Sequence, residues 1–523
     1  MRDGEPMVSG KVSAFLGGRI VTMDPSGRIA SGIVVKDGSV VAVGDAADLD
    51  RALPGDARRI DLDGRVVLPG FVDAHCHLEL SATHLAYAVG CFIPPHRSLA
   101  DICRVLAVRA RETPAGDWVV GRANFSLERW VEEARPLFRA DLDAAVPDHP
   151  AVVLSGLHVC TLNTRALEVT GLLNGVSPPR GASLELETGR ATELWDWLPL
   201  PRYGCEATAA AIRDIGRELF QKRGVTSIGE IPFTADGIHA FQELRRRQEL
   251  PTRLWLWYHV PRLASIDDLA SLALEFGFGD EWLALGGVKL FVDGAGIDVH
   301  GRPVADLKWS QEELDVVVWK AHECGLQLWM HVAPTREAAE MALAALERAL
   351  ERLPRSDHRH RIEHLGDMKP ARDLLLRARR LDVIPVATAQ FVYSHGDADP
   401  EGSCSPLRTL HELGFRVPGN SDCTGTQPEA ANPFHGIWCA LAHRSRGGVV
   451  VEPDERIELG AALRMYTADA AFGCHMDDRG TLEVGKLADL VVLGRDPWET
   501  PVDELPEIPV DMTVIGGRVV YER

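Results

Sequence analysis

His75 and His77 sit one residue apart in the stretch Phe71-Val-Asp-Ala-His-Cys-His-Leu78. On a β-strand alternate side chains share a face, so both imidazoles would project to one side and Cys76 to the other. Two imidazoles so placed can grip one metal ion. A His-x-His pair arises often by chance, and alone it means no more than two histidines near a strand end. Further ligand-type residues follow at the ends of later apolar runs: Lys289 and Asp293, His331, Glu363-His364, and Asn420-Ser-Asp422. Lys289 stands apart, because a buried ammonium in mid-strand is costly and needs a special role. Of nineteen histidines, four fall at these positions; the others are read as structural or surface residues.

Those positions are defined by the elements around them. From residue 211 apolar runs recur at 225–228, 254–260, 288–292, 326–332, 361–365, 383–387 and 415–419, with amphipathic helical segments between them. Their starts lie about 22 to 38 residues apart, the length of one strand plus one helix. With the strand at His75 they make eight βα units. That is a (β/α)8 barrel, the TIM-like fold whose active site lies at the C-terminal ends of its strands. The ligand-type residues fall at those ends.

The two chain ends read differently, as short β segments at 12–16, 20–23, 33–36, 40–43 and 65–68, and again at 489–493 and 512–521. Neither end can bury a sheet alone, so a small composite β-sandwich domain is expected from 11–70 plus 478–523, after a tail at 1–10. The barrel then occupies 71–477. An α/β subdomain is inserted after its first strand at about 80–210, where helical stretches and loops carry Phe125, Trp130, Trp195 and Trp197.

Composition excludes several classes. Apolar residues form 46% of the chain, enough for a large core. A formal charge of −20 argues against nucleic acid or an anionic membrane as partner. The ten cysteines contain no C-x-x-C pair, which disfavours a disulfide scaffold or a thiolate zinc site. No signal peptide or membrane-length run is evident. A cytoplasmic protein with a small-molecule substrate is expected; a homo-oligomer is compatible with all of this.

Several motifs together resemble the metal-dependent amidohydrolase superfamily, within it the family 3 group that includes N-substituted formamide deformylases. They are Leu68-Pro-Gly-Phe-Val-Asp-Ala-His-Cys-His77; His158 and Asn163 followed by Ala166-Leu167; Gly286-Gly-Val-Lys-Leu-Phe-Val-Asp-Gly294; Arg361-Ile-Glu-His364; Asn420-Ser-Asp422; and Gly480-Thr-Leu-Glu-Val-Gly-Lys-Leu-Ala-Asp-Leu490. They span nearly the whole chain in the family's order.

The resemblance implies two divalent ions, with zinc the expected metal. It also implies a CO2-derived carbamate on Lys289 that bridges them. His75, His77 and Asp422 would hold the more buried ion, and His331 and His364 the other. A hydroxide bridging the ions would attack a substrate C–N bond of amide, N-formyl, N-acyl, carbamate or urea type, and Asp422 would pass its proton to the leaving nitrogen. His158, Asn163, Asp293 and Gln390 are the weaker, substrate-binding candidates. Two departures lie in loops that shape the pocket: Val332-Ala-Pro-Thr335 after the fifth strand, and Phe391 after Gln390. A mononuclear deaminase on the same barrel is the alternative, although Pro334 stands where such enzymes usually place a glutamate. A non-catalytic regulatory homologue is the other.

Overall fold

A computed structural model describes residues 12–302, 304–333, 335–368, 371–396, 405–423 and 427–523; the expected tail at 1–10 and Pro334 lie outside them. Seven parallel strands form the barrel wall in chain order: Phe71–Cys76, Val225–Glu230, Arg253–Val260, Leu283–Phe291, Gln327–His331, Arg361–Glu363 and Ile384–Val386. Between them run helices such as Arg336–Arg352. This helix turns Ala338, Ala339, Ala342, Leu343, Ala345, Leu346 and Ala349 inward, a spacing that puts one small-residue face on the sheet.

The eighth run differs from expectation. Residues 415–419 form no regular ladder. Pro418 lacks a donor, and neighbouring side chains capture the backbone groups a strand would pair. Ala74 N–H bonds the Gly419 carbonyl at 3.1 Å. Ser421 N–H goes instead to Asp73 Oδ1 at 3.0 Å, and Asn420 Nδ2 donates to the Ala387 carbonyl at 2.9 Å. The barrel closes through this mixture. Its interior is packed, with Trp257 and Trp329 stacked at 3.6 Å between ring centroids and the Arg361 guanidinium 3.7 Å from the Trp329 ring.

After the first strand comes a six-stranded inserted sheet, with Ala151–Ser155 between Val119–Ala123 and Val159–Leu162. Among the described residues, the strands of the two chain ends share one eight-stranded hydrogen-bonded sheet around a common apolar core. Val66–Pro69 joins them, pairing antiparallel with Leu490–Leu493 and parallel with Val12–Val21. The segments read separately at 12–16 and 20–23 are one strand, interrupted by a bulge between Leu16 and Ile20 where Gly17 takes φ 76°. No helix among the described residues is long and apolar enough to cross a membrane.

This sheet is fastened to the barrel by a buried ion pair. Arg253, fully buried on the third barrel strand, donates through Nε and Nη2 to Asp489 at 2.8 and 3.1 Å. Asp489 also accepts the Gly516 N–H at 2.7 Å. Removing one partner of a buried pair leaves an uncompensated charge, a penalty of about 3–5 kcal/mol. Asp489→Ala should therefore lower unfolding stability by about 3 kcal/mol in urea titrations, with Glu281, 3.3 Å from Arg253, offsetting part of the loss. A midpoint equal to wild type would show that the pair does not fasten the sheet.

Candidate metal centre

At the C-terminal mouth of the barrel, His75, His77, Lys289, His331, His364 and Asp422 all line one cavity of about 240 Å³. Strand alternation puts His75 and His77 on the same side as read, with ring centroids 5.4 Å apart. Asp422 reaches between the histidines. Its Oδ1 lies 3.3 Å from His77 Nε2 and 3.8 Å from His75 Nε2, and Oδ2 lies 4.0 Å from His364 Nε2. One ligand atom each from His75, His77 and Asp422 falls within 4.8 Å of the others. Lys289 Nζ is 3.5 Å from His75 Nε2. His331 and His364 face each other with ring centroids 5.1 Å apart.

Two of these residues occupy the left-handed backbone region, Asp422 at φ 43° and His364 at φ 67°. Non-glycine residues rarely sit there, and the cost is borne where geometry matters. At Asp422 the conformation is held by its own N–H, which donates to the His75 carbonyl at 3.0 Å, while His77 N–H donates to Cys423 O at 2.8 Å.

Three of the four histidines have a carboxylate behind them. His75 Nδ1 donates to Glu363 Oε2 at 2.6 Å, His364 Nδ1 lies 3.4 Å from Asp367 Oδ2, and His331 Nδ1 stands 3.2 Å from Asp293 Oδ1. A carboxylate hydrogen-bonded to Nδ1, as at His75 and His364, leaves Nε2 with its lone pair facing the cavity, the arrangement that orients metal-binding imidazoles. His331 Nδ1, by contrast, makes no hydrogen bond with the nearby Asp293. Glu363 is held in turn by Arg361, which donates from Nε and Nη2 at 2.9 and 2.7 Å.

Charge follows from this packing. Burial and the neighbouring Lys289 charge push His75 down to about 3, and burial lowers His77 and His331 as well. These rings are neutral near neutral pH. Burial would raise Asp422, but the hydrogen bond with His77 and the adjacent imidazoles hold it well below the usual carboxylate range. Burial pushes the Lys289 ammonium down to about 8, so part of it is free amine near neutral pH. Neutral imidazoles, an ionised carboxylate and a partly neutral amine around one cavity form a donor set that fits divalent cations.

The weaker candidates separate. His158 lines the cavity. Asn163 does not: it is fully buried and caps the helix Thr164–Val169, accepting from Ala166 N–H and Ala151 N–H at 2.8 and 2.9 Å. Asp293 stands behind His331 and accepts the Ala333 N–H at 2.8 Å, so it faces away from any substrate. Gln390 is fully buried and donates to Tyr466 Oη at 3.1 Å, outside the cavity lining. Backbone groups hold the side chains of Asn163 and Asp293, and Tyr466 that of Gln390.

Asp367 reaches the site only through folding, and Glu363, a ligand-type residue in the sequence, stands behind His75 rather than at the cavity. Phe125, Leu157, Phe291, Ile297 and Phe391 give the cavity an apolar wall, with Arg129 and His395 beside it.

Comparison with known proteins identifies the family and the fold. Residues 58–521 match the model of the amidohydrolase family. N-substituted formamide deformylase of Arthrobacter pascens is 27% identical over 541 residues, covering 97% of this chain and 98% of that protein. An uncharacterised metal-dependent hydrolase of Pyrococcus furiosus superposes with a TM-score of 0.69 at 24% identity, covering 93% of this chain and all of that one. Atrazine chlorohydrolase TrzN of Arthrobacter aurescens TC1, solved in complex with zinc, gives 0.55 at 17% identity over 98% of this chain and 95% of that one. The last two likenesses establish a fold of TIM-barrel type.

Glu363 offers a test of the imidazole geometry. Glu363→Gln keeps the shape but removes the charge that orients His75. Losing such a supporting carboxylate typically weakens metal binding about 10–100-fold. Chelator competition should show that loss in the variant; unchanged affinity would mean that Glu363 serves only Arg361.

Proposed function

The chain belongs to the amidohydrolase family and is a hydrolase of carbon–nitrogen bonds; on that premise we propose that the cavity binds two divalent ions, expected to be zinc, and hydrolyses an N-substituted amide of a small molecule. The observation that carries this reading is the convergence of four histidines, Lys289 and Asp422 on one cavity. Five side-chain ligands and a lysine exceed what one tetrahedral zinc requires. His75, His77 and Asp422 would hold one ion, His331 and His364 the other, and Lys289, as a carbamate, would serve both. When bound, the ions supply a water activated near neutral pH and polarise the substrate carbonyl.

The chain's own residues do the rest. Asp422 Oδ takes a proton from the attacking water and returns it to the leaving nitrogen, so that the amine departs neutral. Phe125, Leu157, Phe291, Ile297 and Phe391 exclude water and favour an apolar N-substituent. The printed name of the Arthrobacter pascens relative makes N-formyl amides the first class to test. A small-molecule substrate and a cytoplasmic setting complete this reading; the net charge of −20 argues against nucleic acid or an anionic membrane as partner.

A screen of metal-replete enzyme over formamides, N-acyl amino acids, carbamates and ureas tests the reaction class. No turnover of any of them would sink it. Elemental analysis should find close to two divalent ions per chain, and a single tightly bound ion would point to the mononuclear alternative. Enzyme loaded in 13C-bicarbonate should show a carbamate carbon signal that Lys289→Ala lacks, and that variant should lose most activity with at least one ion. Asp422→Asn should lower kcat by about a hundredfold or more, the scale of general acid–base catalysis, with a much smaller change in KM. Wild-type kcat in this variant would remove Asp422 from proton transfer.

A further inference from the structure

One polar chain at the cavity has no part in the centre described above. His158 lies on the turn between Ala151–Ser155 and Val159–Leu162 of the inserted sheet. Its ring centroid is 5.0 Å from that of His331 and 6.1 Å from that of Phe291. Nδ1 lies 2.6 Å from Glu193 Oε1. The Glu193 N–H donates to the His158 carbonyl at 2.8 Å, so residue 193 grips both the ring and the backbone.

Glu193 is held from the barrel side. Its Oε2 accepts from Lys308 Nζ at 2.5 Å, and Lys308 N–H bonds the Val292 carbonyl at 2.9 Å, next to the end of the fourth barrel strand. A Cβ on Gly294 would fall 2.3 Å from the Glu193 side chain, so the loop after that strand is shaped around this carboxylate. Burying Glu193 to 4% side-chain exposure carries a desolvation cost that an apolar joint would avoid. With Nδ1 committed, Nε2 is the remaining ring nitrogen. It has no hydrogen-bonding partner among the described residues, and the ring lines the cavity.

We propose that His158 Nε2 hydrogen-bonds the substrate amide as it reacts, with Glu193 and Lys308 as the positioning residues that hold the imidazole at the centre. The proposal rests on the amide-hydrolase reading above. An amide offers both an N–H and a carbonyl oxygen beside the scissile bond, so the contact does not depend on the protonation state of the ring.

The test is a mutant cycle on metal-replete enzyme with 4-nitroformanilide, which releases a chromogenic amine. His158→Ala should lose about a hundredfold in kcat with KM nearly unchanged, the pattern of a contact made in the transition state. Glu193→Gln and Lys308→Met should each lose about tenfold, Lys308→Arg should recover most of the loss, and metal content and Tm should stay near wild type. In the His158→Ala background, Glu193→Gln should cost nothing more, because it acts through a ring no longer present.

Wild-type kcat in His158→Ala would overturn the proposal. So would a full tenfold further loss from Glu193→Gln in that background, which would mark a structural joint, or loss of metal from His158→Ala, which would make His158 a ligand. If wild-type enzyme hydrolyses no amide at all, the functional reading fails by itself. Calorimetric binding of benzohydroxamate then decides separately: about tenfold weaker binding to His158→Ala at equal metal content supports the contact, and equal affinity overturns it.

Discussion

The hydrogen bond from Asp422 N–H to the His75 carbonyl, 3.0 Å long, closes the barrel and assembles its centre in one contact. The segment that would be an eighth strand cannot form a full ladder, because Pro418 lacks an N–H and Asp73 and Asn420 capture neighbouring backbone groups. What remains are bonds from Ala74, His77 and Asp422, each beside a ligand-type residue or at one. An ordinary strand would have carried Asp422 past the histidines with its side chain set by the pleat. The left-handed turn at φ 43° instead aims its carboxylate between His75 and His77. Local strain is offset by the bonds on either side, which is how such conformers persist at functional positions.

The same economy governs charge. Lys289 and Arg361 are fully buried cations, and buried cations are tolerated only with partners. Glu363 partners Arg361 directly at 2.7 Å and His75 at 2.6 Å. Burial alone would raise its carboxyl, but these neighbours hold it well below the usual range. One carboxylate thus neutralises the cation beneath the centre and fixes a ligand tautomer. Among the described residues Lys289 makes no direct ion pair; its Nζ lies 3.5 Å from His75 Nε2, and the charges of Glu363 and Asp422 act on it from further off.

Much of this was legible in the sequence, for a reason. Residue type and place at the end of an apolar run are local properties, so His75, His77, Lys289, His331, His364 and Asp422 could be read from period and spacing. The carboxylates behind the histidines could not. Glu363 is 288 residues from His75, and nothing in a single sequence shows which strands will be neighbours. Asp293 stands among the substrate-binding candidates as the polar residue at the end of the motif at 286–294. The strand stops at Phe291, and Asp293 turns behind His331 to accept the Ala333 N–H. Asn163 and Gln390 lie outside the cavity lining, Asn163 bonded to backbone groups and the Gln390 amide nitrogen to Tyr466, partners that the fold alone brings near. The bulge at Gly17 likewise split one strand into two apparent segments.

The insertion gives the site what the barrel cannot. A parallel barrel presents its ligands at the strand ends but leaves the mouth open to water, and hydrolysis by an activated water gains from a cavity that admits little else. The inserted sheet brings Phe125, Leu157 and His158 over the centre, while Phe291 and Phe391 come from the barrel side. Leu157 and Trp195 of the insertion share a buried apolar cluster with Phe233, Phe291 and Trp329 of the barrel, and polar contacts add direction to that packing. Lys308 from the barrel and Glu193 from beside the inserted sheet do so with a single short contact, at the point where Gly294 allows closest approach. A charge pair fixes distance and direction more sharply than apolar packing, which tolerates sliding. The contact that helps place the insertion thus also holds His158 beside the candidate metal ligands.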